Sequence, residues 1–446
     1  MNQMGRVTLG GKLSAVLVAA GSSVGLGNIW RFPYVAGDHG GGAFLIIYMI
    51  CVLLLGLPLM LAEFSVGRAT RLNAVGAYRA LSPRWALLGY NNVLTAFLIL
   101  GFYFVVSGWT GAYVVFSLSG DMAHCATAHD YTQLFETLIT HPWRPVIYTC
   151  LFVLATHFII ALGVEKGIER SAKLLMPILL LMLVVLAVRS LSFEGAAEGV
   201  KFFLSPDFSK VTPRTVLVAL GQAFFSLSVG MGSMVTYASY FKSDTDLRHT
   251  AVQVTLIDSV VAILAGLIIF PAVFSAGIAP SSGPSLVFVT LPGIFNAMPG
   301  AMFWSTAFFL LLGVAALTST ISMHEVVTAY FHEEWHLTRR AGAWLTTVLT
   351  AGLASLASLS LGVMGGYRLF GLNLFDGLDF VSANILLPLG GLALSLFVGW
   401  KLNPEVLRDQ LTNHGTLRFR LLRLFVFILR YLCPAMLLLV FLDNMW

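Results

Sequence analysis

Long apolar runs recur along this chain with only short polar stretches between them. A helix rising 1.5 Å per residue needs roughly 20 apolar residues to cross a hydrocarbon layer about 30 Å thick. That pattern predicts eleven spans, near 12–36, 42–67, 86–118, 145–163, 168–190, 213–240, 249–277, 300–330, 341–361, 377–400 and 421–441. Two of them are interrupted by nearly the same words. The first contains Ser23-Val24-Gly25-Leu26-Gly27-Asn28 and the sixth Ser228-Val229-Gly230-Met231-Gly232-Ser233. Glycine costs a helix about 1 kcal/mol relative to alanine. Backbone freed at membrane depth persists only where protein, water or a ligand satisfies it. A bound ligand is the first expectation, and close helix packing through small residues is the competing one.

Five spans separate the starts of the two interrupted segments, so they enter the membrane from opposite sides. The expected fold is an all-α polytopic membrane protein of eleven transmembrane helices containing two inverted five-helix repeats. Residues 1–190 form the first repeat, 213–400 the second, and 421–441 an extra eleventh helix. In transporters built this way the broken helices of the two halves meet near the midplane. Half-helix N-termini there face an anionic group while unwound carbonyls coordinate a cation.

Composition narrows the class. With 58% hydrophobic and 11% charged residues over 446 positions, a soluble domain around one core is excluded. The net charge of +5 is a topology signal and gives no reason to invoke nucleic acid. Lys12, Arg68, Arg71, Arg79, Arg84, Lys166, Arg170, Arg339, Arg340 and Lys401 gather on one side. This places the N-terminus in the cytoplasm and, after eleven spans, the C-terminus outside. Arg6 and Lys12 before an apolar run imitate a secretory signal, but the run continues through Trp30-Arg31-Phe32-Pro33 and reads as a mature span. Cys51, Cys150 and Cys433 sit in spans and Cys125 stands alone in an outer loop, so no disulfide framework is implied.

Polar residues within the spans are the candidate chemistry. Asn28, Glu63, Asp258, Thr318, Ser319, Thr320 and Glu325 all interrupt otherwise lipid-compatible segments. A carboxylate near the bilayer centre costs about 2.5–3.5 kcal/mol on insertion scales, so each is expected to face a cavity or a partner. Hydroxyl and amide oxygens, joined by unwound carbonyls, are hard ligands suited to an alkali cation. Thr318 to Thr320 alone are weak evidence, because such hydroxyls commonly bond back to the preceding turn.

Four segments carry a resemblance: Gly21 to Pro33 (GSSVGLGNIWRFP), Gly40-Gly41-Gly42-Ala43-Phe44, Gly221 to Ser228 (GQAFFSLS) and Gly283 to Phe288 (GPSLVF). Across nearly its whole length the chain resembles the neurotransmitter:sodium symporter family, in particular its bacterial amino-acid branch with the leucine-transporter fold, which often lacks a twelfth helix. The resemblance implies Na+ as the coupling ion, two sodium sites, and a location in the bacterial inner (plasma) membrane. One sodium would meet the carbonyls of Gly21, Val24 and Ala315 and the hydroxyls of Thr318 and Ser319. Ala315, Thr318 and Ser319 share one helix face at i, i+3 and i+4. The second would use the Ser23 carbonyl, the Asn28 side chain, Ser226 and Asp258, with the substrate carboxylate as a further ligand, coupling ion to substrate by direct contact. Position 258 departs from the family, which commonly has Asn there, and Ala262 replaces a serine found in chloride-dependent members. The expectation is that Asp258 takes chloride's place, making transport chloride-independent; a purely structural buried acid is the alternative.

By the same resemblance, a substrate carboxylate would sit against the N–H groups of Leu26 and Gly27 and the Tyr103 hydroxyl. Its ammonium would meet the carbonyls of Ser23, Phe225 and Ser226, with Ser228 nearby. Ile99, Tyr103, Phe225, Met231, Ser319 and Met323 would form the side-chain wall, where no acid or base appears and two adaptable methionines do. A neutral hydrophobic or aromatic L-amino acid is expected. Arg31 and Asp379, with Gln222 and Phe380, resemble the outer gate; Arg6 and Glu333, with Tyr240, resemble the inner one, where Leu9 replaces a usual Trp. Gly167 and Pro177 match a Gly-x9-Pro element whose proline lets the fifth span unwind. Glu63 is expected to meet loose N–H groups of the sixth span, and Glu325 and His324 receive no role beyond a buried polar contact. A cation channel and a membrane enzyme remain the rival classes, although no nucleophile elbow, phosphate loop or metal spacing is present.

Overall fold

The computed structural model describes residues 7–277 and 286–445. Among these residues the structure is helical, and a single bridge between Leu369 and Leu372 is the only β pairing. Nine helices among the described residues are long and apolar enough to cross a membrane: Gly42–Thr70, Pro83–Ser119, Arg144–Ala161, Val164–Leu191, Leu247–Ser275, Ala301–Glu334, Arg339–Leu359, Leu374–Lys401 and Leu422–Asp443. The first segment adds a tenth crossing as two helices, Lys12–Ser23 and Gly27–Asp38, bent by 50°. The sixth is divided more widely, into Pro213–Ser226 and Ser233–Ala238, each too short to cross alone. The expected count of eleven is reached only by counting this divided segment as a span.

Local chemistry accounts for these ends. Thr212 and Thr215 form a capping box before Pro213, whose missing N–H costs nothing at a helix start. Asp246 caps the helix that begins at Leu247, accepting from the N–H groups of Arg248 and His249. Lys12–Ser23 stops because Val24 turns extended (φ −74°, ψ 110°). The sixth segment stops in a run containing Ser228, Gly230 and Gly232 with φ of 53°, 90° and 77°. Left-handed backbone is free for glycine and costs a residue such as serine about 1–3 kcal/mol. At Gly230 a Cβ would also lie 2.8 Å from the Leu387 carbonyl oxygen.

The two broken segments are stitched to one another. Gln222 donates to the Gly27 carbonyl at 2.8 Å, Ser228 donates to the Ser22 carbonyl at 2.9 Å, and Asn28 donates to Ser226 at 2.8 Å. Pro83–Ser119 and Ala301–Glu334 pack side by side, and Ala301–Glu334 also packs against Lys12–Ser23 and Ser233–Ala238. Outward-facing Leu162, Leu174, Leu181 and Val188 are exposed, as a lipid-facing surface requires. Short helices outside the spans, such as Ala74–Leu81, Ala128–Thr140 and Ala196–Leu204, complete the chain.

Candidate ion and substrate site

The break in the first segment places Asn28 against the sixth and seventh. Its amide donates to Ser226 Oγ at 2.8 Å and to Asp258 Oδ1 at 2.8 Å. Ser226 lies 3.0 and 2.9 Å from the two Asp258 oxygens, and Tyr48 donates to Ser226 at 3.0 Å and to Asp258 Oδ2 at 3.2 Å. All four side chains are buried. Among the ion pairs of the described residues none involves Asp258, so its carboxylate is surrounded by hydroxyl and amide groups alone. A carboxylate so placed is costly as a bare charge away from water, and either a cation or a proton relieves that cost. Tyr48 was absent from the expected set; one tyrosine in an apolar run carries no spacing that would single it out.

A second oxygen cluster forms one turn earlier in the first segment. Thr318 and Ser319 donate to the Val24 carbonyl at 3.3 and 3.4 Å, and Thr318 also meets the Ala315 carbonyl at 3.0 Å. Gly21 packs against Thr318, where an added Cβ would lie 3.6 Å from the threonine Cβ. The carbonyls of Val24 and Ala315 and the two hydroxyls thus converge without any charged side chain. Such a set of neutral oxygens suits a monovalent cation.

Between the clusters lies a cavity of about 20 Å³. Ile99, Tyr103, Phe225, Met231, Ser319 and Met323, the six expected wall residues, all line it, with Ser22, Ser23, Gly25, Gly27, Ser228 and Ser322. No ionisable acid or base lines it apart from the Tyr103 phenol. The volume holds about one water, so the wall must withdraw to admit any organic solute. The Leu26 N–H, expected to meet substrate, donates to the Tyr103 hydroxyl at 2.9 Å. Ser226 faces Asp258 and is not among the cavity-lining residues. Gly25 and Ser22 were missed as lining residues; a Cβ on Gly25 would fall 2.2 Å from Ser319 Oγ.

Toward one end, Arg31 rests 4.7 Å over the Phe225 ring in a cation–π contact. Among the ion pairs of the described residues there is none between Arg31 and Asp379. Asp379 and Phe380 stand where the tenth span changes to a wider turn, Phe380–Leu386. Toward the basic end, Arg6 lies outside the described residues, so its pairing with Glu333 is not placed. Glu333 accepts from the Asn73 N–H at 2.7 Å. Tyr240 donates to Glu325 at 2.6 Å, and Arg339 clamps the same carboxylate at 2.9 and 2.7 Å. Glu325 therefore has a defined ionic partner that the sequence reading missed. The signal available was Arg339, 14 positions on and just past a helix turn. Buried Leu9 donates its N–H to the Tyr240 carbonyl at 2.9 Å.

Glu63 takes up its expected place, whereas the fifth span is not unwound at its proline. Glu63 accepts from the Gly230 N–H at 2.8 Å, inside the sixth break. The fifth span opens with a wide turn, Val164–Glu169, and carries Pro177 inside the helix Arg170–Leu191. His324 bridges Thr347 and Thr328 at 3.0 Å each, and Thr347 meets His157 at 2.7 Å.

Two discontinuous membrane helices facing each other across oxygen-rich clusters and a small cavity have the build of a secondary transporter. A family model described as the sodium:neurotransmitter symporter family matches residues 6–142 and 135–446, and the chain belongs to that family. It is 39% identical over 445 residues to the uncharacterized sodium-dependent transporter YhdH of Bacillus subtilis, covering 99% of this chain and 98% of the relative. An uncharacterized sodium-dependent transporter of Haemophilus influenzae is 35% identical, over 100% and 99% of the two chains. The crystal structure of MhsT in complex with L-phenylalanine superposes with a TM-score of 0.90 at 43% identity, covering 99% of this chain and 100% of that one. The protein is accordingly a multi-pass, sodium-coupled membrane transporter.

Proposed function

We propose that the protein imports a neutral hydrophobic or aromatic L-amino acid with sodium by alternating access, without needing chloride. The observation that carries the reading is the cavity wall, which presents Ile99, Phe225, Met231 and Met323 and no acid or base beyond the Tyr103 phenol. The L-phenylalanine in the MhsT complex supports the same substrate class. Backbone groups at the two breaks supply the ends of the site: N–H groups of Leu26 and Gly27 for a carboxylate, carbonyls of Ser23, Phe225 and Ser226 for an ammonium. One sodium belongs among Gly21, Val24, Ala315, Thr318 and Ser319, and another among Ser23, Asn28, Ser226 and Asp258. Asp258 supplies the fixed negative charge that makes chloride dispensable.

The two five-helix repeats, 1–190 and 213–400, are inverted about the midplane, with 421–441 outside them. The N-terminus is cytoplasmic and the C-terminus outside, in a bacterial inner membrane. On that orientation Arg31, Gln222, Asp379, Phe380 and Phe225 form the outer gate, and Arg6, Glu333 and Tyr240 the inner one, reinforced by Glu325 and Arg339. A thermal-unfolding screen of purified protein against twenty amino acids, with and without sodium, tests the substrate class. A ligand of the folded state raises apparent stability. Phenylalanine, tryptophan or leucine should raise it only with sodium; an equal rise from lysine or glutamate would overturn the assignment.

A further inference from the structure

Arg430 is an arginine inside the last apolar helix, Leu422–Asp443, and does not line the cavity at the two breaks. Its Nε donates to the Gly399 carbonyl at 2.7 Å, and its guanidinium lies 4.9 Å over the Trp400 ring. The Trp400 indole N–H returns a bond to the Arg430 carbonyl at 3.0 Å. The two helices meet through matching wide turns, Phe397–Lys401 and Ile428–Leu432. A Cβ on Gly399 would lie 2.9 Å from the Arg430 Cα, so the approach depends on glycine. Wide turns of this kind commonly mark functional positions.

What the arginine lacks is a counter-charge. Among the described residues, its terminal nitrogens have no hydrogen-bond acceptor and it joins no ion pair. A guanidinium at membrane depth is held by a partner or reaches the headgroup level, where tryptophan and tyrosine also gather. Trp400 and Tyr431, 5.5 Å apart and both exposed, provide that belt. Lys401 ends the neighbouring span, and Arg423 sits seven positions before Arg430 on the same helix face. The acidic residues that follow in the connecting segment, Glu405 and Asp409, pair with none of the three; Asp409 holds His414 at 2.8 Å.

We infer that the surface where the last two spans meet, at the basic end, binds the phosphodiester headgroup of an anionic phospholipid through Arg430, Lys401 and Arg423, beside Trp400. Three cations with no carboxylate among them favour a net anionic headgroup, and basic clefts between membrane helices recognise such lipids. The fork of donors on arginine matches the phosphate oxygens.

Native mass spectrometry of the full chain, delipidated in detergent and titrated with phosphatidylglycerol, phosphatidylcholine or inorganic phosphate, tests this. Wild-type protein should retain phosphatidylglycerol preferentially, and Arg430→Gln should lose at least about two-thirds of the retained adduct, whereas Arg430→Lys keeps part of it. Trp400→Leu, which leaves the charge in place, should weaken retention less and guards against misfolding of the arginine variant. Equal retention of phosphatidylcholine, undiminished adducts in Arg430→Gln, competition by inorganic phosphate alone, or occupation of this surface by a second copy of the chain would each overturn the inference.

Discussion

Asp258 carries the sharpest residue-level consequence. Its carboxylate meets only Asn28, Tyr48 and Ser226, so its charge is available to a cation. Replacing chloride by gluconate should leave uptake unchanged in the wild type, and collapse of uptake would contradict the role given to Asp258. Asp258→Asn should weaken sodium dependence, and adding Ala262→Ser should make uptake respond to chloride. At the other cluster, Thr318→Ala removes one hydroxyl facing the Val24 and Ala315 carbonyls. A bond to a charged group contributes about 1.5 kcal/mol, which raises the half-saturating sodium concentration about tenfold. An unchanged sodium curve would remove Thr318 from the ion site. Residues whose spacing or family motif marked them fall into two clusters: Asn28 meets Ser226, and the Ala315-Thr318-Ser319 face meets Val24. Tyr48 and Arg339 were not legible in the sequence, because their roles depend on which helices pack side by side, a fact the local pattern does not contain.

Among the elements, the two helix breaks are held by backbone conformation and close packing. Gly230 has φ of 90° and faces the Leu387 carbonyl, whereas Gly221 in the preceding helix has open space around its Cβ position. Gly230→Ala should lower stability by about 1–3 kcal/mol through backbone strain, while Gly221→Ala should be neutral or slightly stabilising; thermal unfolding in detergent separates the two. Equal effects would mean that the break is not set by backbone conformation. The Arg339–Glu325 pair joins the eighth and ninth spans across their turn, with Glu325 fully buried. Arg339→Ala leaves that carboxylate without its cation and should cost about 3–5 kcal/mol; the exposed neighbour Arg340→Ala should change stability by less than about 0.5 kcal/mol. Helix ends were legible to within a few residues, since apolar length fixes a span. The short helices at the membrane faces were not, because they are amphipathic or polar and too short to register as crossings.

For the molecule as a whole, the two interrupted segments are the feature from which transport follows. A helix that stops and restarts inside the membrane exposes carbonyls and N–H groups that can hold an ion and a substrate together. A cavity of about 20 Å³ lies beside the two breaks. A larger opening of about 410 Å³ lies toward the basic end, among Gly163, Glu165, Tyr240, Glu333 and Arg339. Sodium coupling at this scale means that a sodium gradient performs work on the substrate. The decisive measurement is uptake of radiolabelled L-phenylalanine into proteoliposomes holding the purified protein under an inward sodium gradient. Accumulation above the external concentration is expected, abolished when potassium replaces sodium or when the gradient is dissipated. Equilibration without accumulation would identify a passive pore, and chemical conversion of the substrate an enzyme; either result would contradict sodium-coupled transport.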